Sequence, residues 1–240
     1  MAENSAHIAA ILFVVMAVAM AAAPLGYRLG FWSAATALTK VVAIGLLGGA
    51  LAAVLAAVSL LSGGAQVGPG TTLMLVVIVV AGIFAVALPL RAKKIAERAP
   101  IKDITTDTEN PPLFEAALPP RAKEGAVSEY PGAAVGKIQS ANYPEIAPAR
   151  MAGAPADAFK IALDAAKAMG WTILAADAGR GRIEASDRTL LFGFTDDVVV
   201  RLSPERGGSR VDMRSASRVG VSDLGKNAKR IRAYFATLAR

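Results

Sequence analysis

Three apolar runs lead the chain: His7 to Ala23, Val41 to Leu61 and Thr71 to Leu90. About 20 mainly apolar residues suffice for a helix to cross a membrane. The second and third runs meet that length. The first meets it only with Pro24 and Leu25 in the interface, so the expected spans are about 7–25, 41–61 and 71–90. A cleaved secretory signal is the rival reading of the first run, with Ala21, Ala22 and Ala23 as its cleavage site. A signal opens on positive residues, whereas MAENSAH carries Glu3 and no Lys or Arg. A true first span is favoured, and residues 1–99 read as an anchor of three transmembrane helices.

Beyond residue 150 the period changes. Pro155 opens a helix and Gly170 closes it, with Phe159, Leu163, Ala166 and Met169 as the apolar stripe. Strands follow at Trp171 to Ala176, Arg182 to Ser186, Asp196 to Ser203 and Ser209 to Ser217, separated by turn-rich 177–181 and 204–208. A last helix starts at about Ser222, a good N-cap, with Leu224, Ala228, Ile231, Phe235 and Leu238 at helical spacing. The order α-β-β-β-β-α predicts a small α+β domain over 151–240, an antiparallel sheet with helices on one face. Between anchor and domain, residues 100–150 hold eight prolines, a density that blocks helices and central strands. Leu113, Phe114, Leu118, Tyr130, Ile138, Tyr143 and Ile146 favour a strap lying on the domain or the membrane surface over a free, proline-rich linker.

Charge then orients the anchor. The N-terminal tail has no Lys or Arg, the first loop has Arg28 and Lys40, and the second, Ser62 to Gly70, has no charge. The third run is followed at once by Arg91, Lys93, Lys94 and Arg98. Cations in short loops mark the cytoplasmic side. The pattern therefore predicts an integral membrane protein with its domain cytoplasmic, the far side of the membrane being the alternative. No Asp, Glu, Lys or Arg interrupts a run, which disfavours a pump or transporter. Gly45, Gly49, Ala53 and Ala57 form a small-residue stripe, suited to helix packing within the chain or in a homo-oligomer.

The stretches GRIEAS, DRTLLFGFTDDVVVRL and RVDMRSASRVGVSDLGKNAKRIRAYF, with DITTDTENPPLF upstream, carry a resemblance. They look like the uncharacterised family known as domain of unknown function 1499, over roughly residues 100–240. The resemblance implies a bacterial or plastid-lineage domain with no assigned activity, hence an anchor in a bacterial inner membrane with a periplasmic domain as the alternative to a cytoplasmic one, and no catalytic residue carries over. Some members of that family are exported or lumenal, which argues for the alternative side.

Candidate chemistry is sparse. The lone histidine, His7, sits at the start of the first span and reads as interfacial, and the absence of cysteine removes disulfides and thiol chemistry. With no His/Cys constellation, phosphate-binding glycine loop or nucleotide fingerprint, neither a metal nor another cofactor is expected. Asp196 and Asp197, adjacent on a strand, point to opposite faces, so a shared acid/base role is disfavoured. Gly220-Val221-Ser222-Asp223-Leu224-Gly225 has one residue too many for a nucleophile elbow and no domain histidine to serve it.

A charged sheet face is the stronger feature. Arg210, Asp212 and Arg214 share one face of the fourth strand, and Arg201 becomes their neighbour if the third and fourth strands pair. One reading is a solvated salt-bridge ladder. The other is a binding surface of Arg201, Asp212, Arg214 and Arg218 for a lipid headgroup, a small anion or an acidic protein. Residues 201–240 carry a net +7, equal to the whole-chain excess. For a tethered domain the nearest polyanion is membrane lipid. No nucleic acid partner is expected, since no recognition motif or aromatic interleaving accompanies the charge. The expected function is a membrane-anchored interaction module. The alternatives are a carboxylate-dependent hydrolase using Asp196, Asp197, Asp212 or Glu184, and a structural subunit of a membrane complex.

Overall fold

The structure, a computed structural model, describes residues 2–63 and 68–238. The chain divides into two compact units, residues 1–94 and 95–240. Residues 64–67 of the uncharged second loop, and Arg240 of the basic tally, lie outside the described residues.

The first unit holds α1 (Ala2–Arg28), α2 (Ala34–Thr36) with a π-helical turn (Ala37–Val41) leading into α3 (Val42–Gly63), and α4 (Pro69–Arg98). Three stretches, Asn4–Arg28, Ala34–Ser62 and Pro69–Arg98, are long and apolar enough to cross a membrane. They outrun the expected spans because polar ends continue the helix and because Pro24 and Pro89 are absorbed inside α1 and α4. Ser33 starts the second stretch by accepting the Thr36 N–H at 3.1 Å.

The small-residue stripe faces helices of the same chain. A Cβ added at Gly45 would lie 3.2 Å from Ala19 Cβ of α1, and one at Gly49 would lie 2.3 Å from Met16 Sδ. A Cβ at Gly82 of α4 would lie 2.2 Å from Ala53 Cβ and 2.7 Å from the Gly49 carbonyl. Small residues on both sides thus let the backbones approach. Ala57, further along the stripe, is half-buried.

The second unit is an α+β domain: β1 (Asp103–Thr105), α5 (Leu118–Lys123), α6 (Ala133–Asn142), β2 (Ala149–Met151), α7 (Pro155–Ala168), β3 (Thr172–Asp177), β4 (Arg182–Arg188), β5 (Thr195–Glu205), β6 (Gly208–Ser217) and α8 (Lys226–Leu238). The six-stranded sheet runs β1-β6-β5-β4-β3, with β2 also on β6, and every pairing is antiparallel. Alternation places Ile183, Val198, Val200, Val211 and Met213 on one face, where they form a core with Phe159, Ala162, Ala166 and Ile231 of α7 and α8. Pro155 stands at the first position of α7, and Gly170, with φ +76, ends it. Trp171 stacks on Tyr234 at 5.1 Å, and the Tyr234 hydroxyl donates to the Ala162 carbonyl at 2.8 Å, tying α8 to α7.

Two expectations need correction. The proline-rich stretch does form helices and strands. Pro119 and Pro120 sit in the first turn of α5, where proline's missing N–H costs nothing. β1 and β2 both add to β6. The Gln139 side chain of α6 then accepts the Thr105 N–H at 3.0 Å and donates to its carbonyl at 2.7 Å, covering the outer edge of β1. Secondly, the last helix starts at Lys226, not Ser222. Leu224 and Gly225 take left-handed backbone, φ 55 and 82, which interrupts a helix there. Asp223 caps instead, accepting the N–H groups of Gly225 and Asn227 at 2.8 Å each. Ser222 donates to the Ala99 carbonyl at 2.9 Å.

Candidate functional site

The charged face of the sheet is roofed by the 106–130 segment. Arg201 and Asp212 are partners in the β5–β6 register, and Arg201 Nη2 donates to Asp212 Oδ2 at 3.0 Å. Arg210 Nη2 donates to Asp212 Oδ1 at 3.0 Å, and both arginines reach Asp107 Oδ2 at 3.1 Å. Two arginines and two aspartates close a neutral square. Its Asp212 corner also accepts a 3.4 Å hydrogen bond from Thr106 Oγ1.

Arg214 lies across β5 from Val199, so it faces the roof and not the square's solvent edge. It is 0 % exposed. It makes a bidentate pair with Asp103, 2.9 and 2.7 Å, and donates to the Pro112 and Ser128 carbonyls. Its guanidinium stacks 4.6 Å from the Phe114 ring centroid, and that of Arg121 lies 4.7 Å from the same ring. Arg218 pairs with both oxygens of Asp197 at 2.9 and 2.8 Å and with Glu124 at 2.6 Å, which holds its guanidinium more firmly charged than an ordinary arginine. Asp197 also accepts from Arg121 Nη1 and Ser186 Oγ, both at 2.9 Å. The neighbouring Asp196 faces the other way and pairs with Arg230 of α8 at 2.6 Å.

Glu184 fixes the roof by backbone. Its buried carboxylate accepts the N–H groups of Glu115, Ala116 and Ala117 at 2.9–3.0 Å, just where α5 begins. Three convergent N–H groups at a helix start form an anion cradle, here filled by a side chain of the sheet. Arg182 adds a hydrogen bond to Glu184 at 2.9 Å.

Arg201, Asp212, Arg214 and Arg218 therefore lie on one side of the sheet, but each is already engaged by an opposite charge. Of the ten cations counted in residues 201–240, Arg201, Arg210, Arg214, Arg218, Arg230 and Arg232 are ion-paired. A buried arginine saturated by carboxylate has little capacity for a second anion without losing the first.

An uncommitted donor sits one layer away. A cavity of about 200 Å³ opens where the chain enters the domain, lined by Ile101, Lys102, Arg121, Val127, Val135 and Ser217 among others. Arg121 is 1 % exposed. Its Nη1 and Nη2 are taken by Asp197 and by the Ala216 and Val127 carbonyls, but its buried Nε–H has no acceptor. Lys102 lies on the same cavity wall, half-buried, donating only a long 3.3 Å bond to the Arg218 carbonyl. Burial chiefly, and then Arg121, hold the Lys102 ammonium below the usual lysine range, with Asp103 opposing. Asp103, committed to Arg214, and the exposed Glu129 are the acids on the wall.

Glu129 also lines a wider groove of about 820 Å³ with Tyr130, Lys137, Ser140 and Leu113. The Tyr130 hydroxyl is buried without a partner, and burial pushes it up to about 12. Among the described residues no group of His, Cys, Asp and Glu is arranged to hold a metal ion.

Sequence reasoning missed Lys102, Arg121 and the Glu184 cradle. The faint signal was Arg121 itself, the first cation after Lys102, set in a stretch of proline and alanine. Residues 103–238, more than half of the chain, match the family described as protein of unknown function (DUF1499). The match begins at Asp103, so it takes in the roof as well as the sheet. No curated protein matches the chain.

Proposed function

The chain belongs to the DUF1499 family, and we propose that its C-terminal domain is a membrane-anchored module that binds a small carboxylate in the Lys102/Arg121 cavity. The observation that carries this reading is Arg121, a cavity-lining residue whose buried Nε–H has no acceptor. An unmet donor of this kind costs about 1–3 kcal/mol, which an anionic acceptor would return. The second cation supports it. Arg121 disfavours the Lys102 charge, and an anion beside Lys102 relieves that repulsion. Ile101, Val127, Val135 and Pro131 line the rest, so the fitting ligand has a carboxylate head and a short apolar tail.

The domain sits in this reading on the cytoplasmic side, where the Arg91–Arg98 cluster directs it. A binding role is favoured over a carboxylate hydrolase by the state of the acids. Asp197, Asp212, Asp196 and Glu184 each accept from arginine, and Glu184 from backbone N–H groups besides. Carboxylates so engaged serve as fixed acceptors, not as proton shuttles.

The test is calorimetric titration of the full-length protein in detergent with butyrate and with inorganic phosphate. Saturable butyrate binding is expected, weakened about tenfold or more in Lys102→Met and strengthened in Glu129→Gln. Since Lys102 loses its charge at lower pH than an ordinary lysine, affinity should fall as pH rises through that lowered value. Equal binding by wild type and a folded Lys102→Met variant, or no binding at all, would overturn the reading. Preference for phosphate would keep the cavity and change the ligand.

A further inference from the structure

The first unit has an apolar cleft of about 590 Å³ between its three membrane-crossing helices, lined by Met16, Met20, Leu46, Phe84, Leu88 and Pro89 among others. Its position along the helices is one-sided. α1 contributes from its second half, α3 from its first turns together with Leu38 of the π-helical turn, and α4 from its second half. The cleft therefore lies toward one end of the bundle. That end carries Arg28, Lys40, Arg91, Lys93 and Lys94, while no Lys or Arg precedes Arg28 or falls between Lys40 and Arg91.

The same end is marked as an interface by its turn. The Trp32 indole donates to the Ala23 carbonyl at 3.0 Å, and a Cβ at Gly26 would lie 2.2 Å from the Trp32 ring, so the ring packs on bare backbone. Phe31 beside it is 74 % exposed. Aromatic residues at a helix-connecting turn belong at headgroup level. Arg91 follows Leu88 by three residues and Phe84 by seven, which places it on the cleft side of α4. Lys94 points to the opposite side of that helix.

We propose that this cleft seats an acyl chain of an anionic phospholipid, with the lipid phosphate held by Arg91 and by Lys40 reaching along the interface. Every apolar surface in a bilayer meets hydrocarbon. A concave one beneath a cluster of cations selects by headgroup charge as well. This site is in the anchor and stands independently of the carboxylate cavity.

The experiment is native mass spectrometry of the full-length protein released from nanodiscs holding equal amounts of phosphatidylglycerol and phosphatidylcholine with identical acyl chains. The wild type should retain phosphatidylglycerol preferentially. Arg91→Gln should cut that preference about fivefold, and Lys94→Gln should leave it nearly unchanged. Ala81→Phe, which fills the cleft, should lose both lipids while keeping its helicity by circular dichroism. Equal retention of the two lipids by the wild type would overturn the proposal. So would equal losses in Arg91→Gln and Lys94→Gln, which would signal generic surface charge. A second copy of the chain in place of lipid, lost in Ala81→Phe, would also overturn it and assign the cleft to a homo-oligomer.

Discussion

On one face of the sheet, α7 and α8 bury Val198, Val200, Val211 and Met213 against Phe159, Ala162 and Ile231. On the other, β1 and the 106–130 segment lay Asp103, Asp107, Phe114 and Arg121 over Arg214, Asp212, Val199 and Asp197. The first closure is apolar and non-directional, scaling with the area removed from water. The second is built from charges that were costly to desolvate and that depend on each partner staying in place. One sheet thus carries two closures that should fail differently. Losses on the helix face should be graded, whereas losses on the roofed face should depend on whether one partner or both are removed.

The largest effect should come from orphaning a buried charge. Arg214→Ala leaves Asp103 without its bidentate partner under the roof, at a cost of about 3–5 kcal/mol. Replacing both members with apolar residues, Asp103→Leu with Arg214→Met, should recover most of that loss, because paired buried ions contribute little net stability over well-packed hydrocarbon. Denaturant unfolding followed by Trp171 fluorescence measures both. If the double variant is as unstable as the single, the Arg214 contacts to the Pro112 and Ser128 carbonyls and the Phe114 stack matter more than the ion pair.

The helix face supplies the contrast. Ile231→Ala removes a fully buried branched side chain from α8 and should cost about 3 kcal/mol, within the usual range for such truncations. No second substitution that merely removes a partner should restore it, since a cavity has no partner. Rescue should require added volume nearby, as in Ala162→Val. Recovery of Ile231→Ala by a charge change would erase the distinction between the faces.

The difference in legibility follows the same line. Alternation in Asp196 to Ser203 and Ser209 to Ser217 made the strands and their two faces readable, and it placed Arg201 beside Asp212 and set Asp196 and Asp197 back to back. Apolar periodicity encodes what is buried, because hydrocarbon has no other reason to recur. A charged residue encodes no such thing. Arg214 read as part of a surface and Arg121 drew no reading, yet both are buried, Arg214 against Asp103 and Arg121 against Asp197. Nothing local announces that Asp103 lies beside Arg214, because antiparallel addition of a three-residue edge strand decides it. The aromatics of the proline-rich stretch signalled that it packs on something. Its helix α5 was hidden by Pro119 and Pro120, which occupy a first turn, where they are tolerated, and α6 by fitting between Pro131 and Pro144. At the last helix the sequence pointed to Ser222, whereas Asp223 takes the capping role, and the left-handed Leu224–Gly225 step that interrupts a helix begun at Ser222 has no sequence mark at leucine.

A smaller effect should separate roof from sheet. Glu184→Gln replaces an ionised acceptor of three backbone N–H groups with an amide that can accept at one atom only. Hydrogen bonds to charged groups contribute about 1.5–3 kcal/mol, so the roof should loosen by about that amount while the helix-face core persists. Hydrogen exchange should accelerate at residues 115–117 and leave Val198 and Val200 protected. Equal acceleration across β5 would mean that roof and sheet unfold as one unit.

The smallest effect should come from pH, and on the roofed face it comes through Tyr130. Burial, aided by Asp103 and opposed by Arg214, raises the Tyr130 hydroxyl from its ordinary 10 to about 12. Between those values the unfolded chain has released this proton and the folded chain has not. The folded state then binds more protons, so stability must fall as pH rises through that window. The half-exposed position of Tyr130 keeps the slope shallow. Tyr130→Phe removes the titration and the partnerless buried hydroxyl together, so it should flatten the slope and leave stability at neutral pH equal or slightly higher. Tyr234 is also raised, by burial alone, and adds a slope of the same sign from the helix face, where its hydroxyl donates to the Ala162 carbonyl; Tyr130→Phe should therefore remove only the roof's share. An alkaline slope that survives in Tyr130→Phe and vanishes in Tyr234→Phe would move the sensitivity from the ionic closure to the apolar one, and the two faces would no longer differ in the way their chemistry requires.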